Sequence, residues 1–142
     1  ATSTVAAVKA ALLTRLSARA GLTGVQIVYG VPWKGPSREW IAIADADGEQ
    51  EWATLGKLSR NERYGVAVVV WVEVPGTNQQ TATERAFVLT DEIEGELRTD
   101  PTLGVTGVIA AQIGGPFSLE ERGSDSTRLA LLTVTVQVHA RI

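Results

Sequence analysis

The sequence predicts a single α+β domain: a mixed, mainly antiparallel sheet with two amphipathic helices packed on it, in the order α-β-β-β-β-α-β-β. Three observations carry this expectation. Two segments repeat apolar residues at spacings of three and four: Val5, Val8, Leu12 and Leu16 near the start, and Ala82, Ala86, Leu89, Ile93 and Leu97 further on. Two others, 63–74 and 127–142, place apolar residues at every second position, the period of a strand. Between these runs stand clusters of Gly, Pro, Asn and Asp. The 142 residues, 44% of them hydrophobic, fit one domain over 1–142. A chain of this size buries roughly 68–70% of its unfolded surface and needs no covalent staples.

The first helix is capped by Ser3 or Thr4, carries Leu13 and several alanines beside its apolar stripe, and ends at Gly21 or Gly24. A short strand over 25–29 leads into a loop, 30–36, held by two prolines and two glycines. Segments 39–44 and 50–55 read as a hairpin around Asp45-Ala46-Asp47-Gly48-Glu49, because Asp-Gly is a strong turn signal. In the strand over 63–74, Val66, Val68, Val70, Val72 and Val74 share one face, and Ala67, Val69 and Trp71 make the other mostly apolar. That pattern predicts a central strand, or one whose second face is covered by a helix or a neighbouring subunit.

After a turn-rich loop, 75–80, the second helix runs over 81–98, with Glu84, Asp91, Glu92, Glu94 and Glu96 largely off its apolar face. Thr99-Asp100-Pro101 stops it, since Pro cannot continue the hydrogen-bond ladder. The last third reads as one long hairpin. Its outgoing arm is 105–122, bent at Gly114-Gly115-Pro116, its turn is 123–126 and its return arm is 127–142. On the return arm Ala130, Leu132, Val134, Val136, Val138, Ala140 and Ile142 share one side, and from Thr133 onward the other side is polar.

Composition excludes much chemistry. With no Cys there is no disulfide, thiolate metal site, iron–sulfur cluster or thiol nucleophile, and one His excludes multi-His centres. No apolar run approaches the ~20 residues of a membrane span, and the N-terminal segment lacks the pattern of a signal peptide. The expectation is a soluble protein made in a cytoplasm. Thirteen Lys+Arg against sixteen Asp+Glu leave a net charge of −3, no bulk attraction for nucleic acid.

The candidate motifs favour no enzyme. Asp45, Asp47 and Glu49 form the densest carboxylate group, yet they lack the spacing of a calcium loop and read as a solvated hairpin tip. A carboxylate- and metal-dependent hydrolase built on them is the weaker rival reading. His139, between Gln137 and Arg141 on a polar strand face, has no placed nucleophile or carboxylate and reads as a surface or interface residue. The glycine clusters at 104–107 and 114–116 precede strands rather than helices and lack a phosphate-loop Lys. Trp71 reads as core, Trp40 and Trp52 as sheet packing, and Trp33 in its Pro/Gly loop as the best contact residue. The alternating Arg60, Glu62, Arg63 and Tyr64 form a candidate subunit interface, since Arg clamps carboxylates through paired hydrogen bonds.

Five stretches together carry a resemblance: TVAAVKAALLTRL, VQIVYGVPWKGPSREWIAI, GKLSRNERYGVAVVVWVEV, ERAFVLTDEIEGELRTDP and LALLTVTVQVHARI. In element order and residue type, nearly the whole chain resembles the tail terminator proteins of long-tailed bacteriophages. The resemblance implies a virion protein of the tail and neck region that forms a ring, typically of six subunits, on the head-proximal end of the tail tube. There it ends tube polymerisation and meets the head–tail connector, while genomic DNA passes through its lumen without sequence recognition. It implies no cofactor, no membrane and no catalytic residue. Six copies of a −3 chain place about −18 around such an axis, a lumen that does not grip phosphates.

On that reading Thr133, Thr135, Gln137, His139 and Arg141 face the lumen or a subunit boundary. Trp33, Lys34 and Arg38, with Thr77, Asn78 and Gln79, contact the tube or the connector. Related tail-completion proteins of the neck share the pattern, and a small non-viral α+β binding module fits the composition; ring formation separates the module from the terminator.

Overall fold

The computed structural model of the chain describes residues 2–32, 37–53, 56 and 58–142. Helix α1 (Val5–Ala18) is followed by one 3-10 turn (Ala20–Leu22), then by β1 (Gln26–Tyr29), β2 (Glu39–Trp52) and β3 (Arg60–Pro75). Helix α2 (Gln79–Thr99) separates these from β4 (Val108–Ile113), β5 (Ser118–Gly123) and β6 (Thr127–Arg141). The fold is α+β, with two helices on a six-stranded, mainly antiparallel sheet. The strands lie in the order β1, β2, β3, β6, and both β4 and β5 pair with the far side of β6. Among the described residues β1 and β2 are the one parallel pair.

The apolar periodicities translate directly into the core. Val8, Leu12 and Leu16 of α1 and Ala82, Ala86, Leu89, Ile93 and Leu97 of α2 are buried against Val66, Val68, Val70 and Val72 of β3 and the even-numbered residues 130–140 of β6. Both helices therefore cover one face of the sheet. The α2 cap is as its chemistry suggests: the Asn78 side chain accepts from the Thr81 amide at 3.3 Å, and the helix stops at Thr99, ahead of Pro101.

Two elements differ from the sequence expectation. The Asp45-Ala46-Asp47-Gly48-Glu49 segment is no hairpin tip; β2 runs through it, paired with β3 from Glu39 to Trp52. One extra residue is absorbed as a bulge between Ile43 and Ala46. The expected strand 50–55 is thus the second half of β2, with Thr54 and Leu55 outside the described residues. The expected outgoing arm 105–122 is two strands, since Gly115 takes a φ of +79° and Pro116 has no amide to give a ladder. The observed order is α-β-β-β-α-β-β-β.

An ionic clasp joins the helices. Arg19 of the α1 end donates to Glu92 at 2.7 Å and Glu96 at 2.9 Å, and Arg15 reaches Asp100 at 2.8 Å. Hydrogen bonding to Glu92, against the counter-effect of burial, raises the Arg19 pKa further above its ordinary value. Two glycines make room: a Cβ at Gly21 would stand 2.3 Å from the Glu92 carboxyl carbon, and one at Gly95 2.4 Å from an Arg19 nitrogen. Arg19→Ala is expected to cost about 1 kcal/mol in urea unfolding, and less at high salt, because the network is partly solvated.

Candidate functional site

The alternation of β3 and β6 sends every second side chain to the face that the helices leave uncovered. Strand register arranges that face in rows. Trp40, Trp71 and Leu131 stand side by side, then Ala42, Val69 and Thr133. Lower down come Asp47, Gly65 and Gln137; Glu49, Arg63 and His139; and Glu51, Asn61 and Arg141. The uncovered face is therefore apolar at one end and charged at the other.

At the apolar end Trp40 and Trp71 stack with ring centroids 5.2 Å apart and planes 13° from parallel. Trp71, read from the sequence as core, is half-buried in this stack on the face opposite the helices. Trp52, read as sheet packing, is 62% exposed in the last paired row of β2, opposite Arg60. At the charged end an open cleft of about 580 Å³ runs between Asp47 and Glu49 on one side and Thr135 and Gln137 on the other, with Arg63 in its floor and Pro116 at its rim. The Thr135 hydroxyl donates to the Pro116 carbonyl at 2.6 Å, tying the bend between β4 and β5 to this face.

Thr133, Thr135, Gln137, His139 and Arg141 all lie on this face, away from both helices. The proposed interface group divides. Arg63 is exposed on the open face, level with Glu49 and His139. Arg60 points the other way and donates to the Thr2 carbonyl at 3.1 Å. Glu62 and Tyr64 are 3% and 4% exposed beneath the start of α1, so their side chains have no surface to offer a neighbouring subunit. That corrects the interface assignment for these two.

Their task is internal. Glu62 Oε1 accepts from the Thr4 amide at 2.9 Å and the Thr4 hydroxyl at 2.7 Å, and Oε2 accepts from Gln50 Nε2 at 2.6 Å. Because the Thr4 hydroxyl donates to Glu62, its oxygen receives the Tyr64 hydroxyl at 2.9 Å. Thr4 therefore does not cap α1 with its side chain; Ser3 Oγ accepts from the Val5 amide instead. Burial pushes the Glu62 pKa up, but hydrogen bonds from Ser3, Thr4 and Gln50 outweigh it and hold the carboxyl below its ordinary value. Burial, with Glu62 alongside, raises the Tyr64 hydroxyl to about 12.

Of the expected tube or connector contacts, Trp33 and Lys34 lie outside the described residues, and Arg38 and Thr77 are exposed. Asn78 serves α2 as its cap, and Gln79 is half-buried, donating to the Leu129 carbonyl at 3.0 Å. Asp45, Asp47 and Glu49 sit at alternate positions of an extended strand rather than around a turn, spread about 7 Å apart along it. Among the described residues no three His, Asp or Glu side chains are grouped to hold a metal, and no helix is long and apolar enough to cross a membrane. The Thr4–Glu62 network was hidden in the sequence because its partners stand 58 residues apart.

No family model matches the sequence, and no curated protein matches it either. Among solved structures, a chain of the virion of a native gene transfer agent particle superposes with a TM-score of 0.66. The two chains are 13% identical, and the match covers 99% of this one and 100% of that one. What the two share is the whole fold, from α1 to β6.

Proposed function

We propose that this chain is a structural virion protein that closes into a ring, six copies by the tail-terminator resemblance, on the head-proximal end of a tail tube. The observation that carries the reading is the end-to-end superposition on a gene transfer agent virion chain, which leaves no domain of either unmatched. The sequence resemblance to tail terminators was independent of that superposition and points the same way.

In this reading the uncovered sheet face turns toward the channel or a subunit boundary. Its rows place Asp47, Glu49 and Glu51 beside Arg63, His139 and Arg141, so cationic groups that would hold phosphates are answered locally by carboxylates. Such a wall lets DNA slide past without reading it. The exposed Arg38 and Thr77, at the ends of β2 and β3 nearest the apolar rows, serve as contacts to tube or connector. Termination needs no covalent step: a ring that matches the tube end on one side and presents a different surface on the other stops addition by geometry.

The test is to produce particles in cells lacking the chain and to image their tails. The terminator reading expects overlong, headless tails, restored to one length when the chain is supplied. Tails of normal length that fail to join heads identify a neck connector instead. Normal particles overturn both.

A further inference from the structure

The two lateral ends of the sheet are unlike each other and complementary. Among the described residues β1 has a single strand neighbour at one end, β2, and β5 has a single neighbour at the other, β6. The register aligns them at one level. Ile27 stands in the row of Ile41, Val70, Leu132 and Leu119. Tyr29 stands in the row of Val134, one position past the Ser118–Thr133 pair, where Phe117 precedes β5. On both ends the apolar side chains point to the helix-bearing side and remain in solvent: Tyr29 is 53% exposed, Phe117 72% and Leu119 36%.

Polarity and charge favour one occupant. β1 runs with β2 and β6, and β5 runs against β6, so the two end strands are antiparallel to each other. A second copy in the same orientation, set beside the first, therefore brings its β1 against β5 as an antiparallel pair, with no copy inverted. The first 38 residues, which build α1 and β1, contain five basic residues and no acidic one. Arg15 and Arg19 are committed to α2, while Lys9 lies over the Tyr29 ring at 4.5 Å from its centroid, on the β1 end. The β5 end carries Glu121, which accepts from Thr83 of α2 at 2.9 Å, with Glu84 exposed at the following position of that helix. No Arg or Lys is paired with Glu121 or Glu84 among the described residues.

We infer that β5 of one copy pairs with β1 of the next, seating Ile27 and Tyr29 against Leu119 and Phe117. The inference deepens the ring reading above and rests on it. An exposed strand edge is a pairing template, and joining unlike ends by rotation is the heterologous contact from which rings close. Charges of opposite sign at the two ends also disfavour like ends meeting, which blocks the two-fold dimer.

Because the chain has no Cys, pairing can be read directly by introduced thiols. Antiparallel partners stand about 4.5–5.5 Å apart at Cα, within disulfide reach. The double variants Tyr29→Cys with Phe117→Cys and Tyr29→Cys with Leu119→Cys cover two registers that both keep the apolar faces together. Oxidised at high protein concentration or on isolated tail tubes, one of them should give a ladder of linked chains ending at the ring number, and single-thiol variants should stop at dimers. If the unaltered chain forms rings but neither pair gives a ladder, the edge assignment is overturned and the ring stands. If it forms no rings alone or on tubes, both fall.

Discussion

Glu62→Ala lowers stability by about 3 kcal/mol, the largest loss expected from any single polar side chain here. The carboxylate is 3% exposed and accepts from the Thr4 amide, the Thr4 hydroxyl and Gln50. Removing it leaves a buried amide and a buried hydroxyl without an acceptor, and orphaned donors of this kind cost about 1–3 kcal/mol each before any relaxation. The same residue makes the protein acid-sensitive. Its folded pKa lies below the ordinary value of 4.5, so its contribution is fully present above that pH and is lost as pH falls through the folded value. Urea unfolding followed from pH 7 to pH 3 checks both parts. The unaltered chain should lose stability through the acid range, and Glu62→Gln should start lower and fall less steeply. An equal slope in the two would assign the acid sensitivity elsewhere. Tyr64 adds the opposite limb: with its hydroxyl raised to about 12, its contribution is present below pH 10 and fades as pH rises toward 12.

Gly48→Ala is expected to cost a further large amount, about 3 kcal/mol, or to shift the β2 register. A Cβ there would stand 2.2 Å from the Arg63 carbonyl oxygen and 2.3 Å from Tyr64 Cβ. The obstacle includes backbone, which cannot swing aside as a long side chain can, and overpacking of this kind costs about 1–3 kcal/mol or more. Gly56→Ala is the control: none of the described residues lies within 4 Å of its Cβ position, and the change should stay within about 0.5 kcal/mol. Thermal or urea unfolding of the two variants decides the matter. Equal stabilities would mean that β2 and β3 separate at Gly48 without loss.

The same glycine shows where local reading reached its limit. Asp47-Gly48 has the residues of a tight turn, but β3 extends over sixteen residues and offers a partner to every part of 39–52. The long ladder with its single bulge prevails over a local turn preference, and glycine is required for close strand contact rather than for a positive φ. Gly114-Gly115-Pro116 was legible as a bend. That its two arms would dock one after the other along one edge of β6 depended on the length of β6, a property of the partner. The polar face from Thr133 to Arg141 was readable from its alternation. The removal of Glu62 and Tyr64 from the surface was not, because it depends on where the N-terminal residues settle.

The sequence by itself determined the class of the fold, the two helix faces, the central strand and the apolar and polar sides of β6. Each of these follows from a period of 3.6 or 2, which burial on one side imposes residue by residue. It also excluded thiol chemistry and multi-His metal sites by composition. Only the tertiary structure decided which carboxylates are buried and which exposed, that β2 passes through its apparent turn, and that the sheet ends in two level, unlike edges. Those outcomes depend on pairings between segments tens of residues apart, and neither propensity nor periodicity encodes the distance between them.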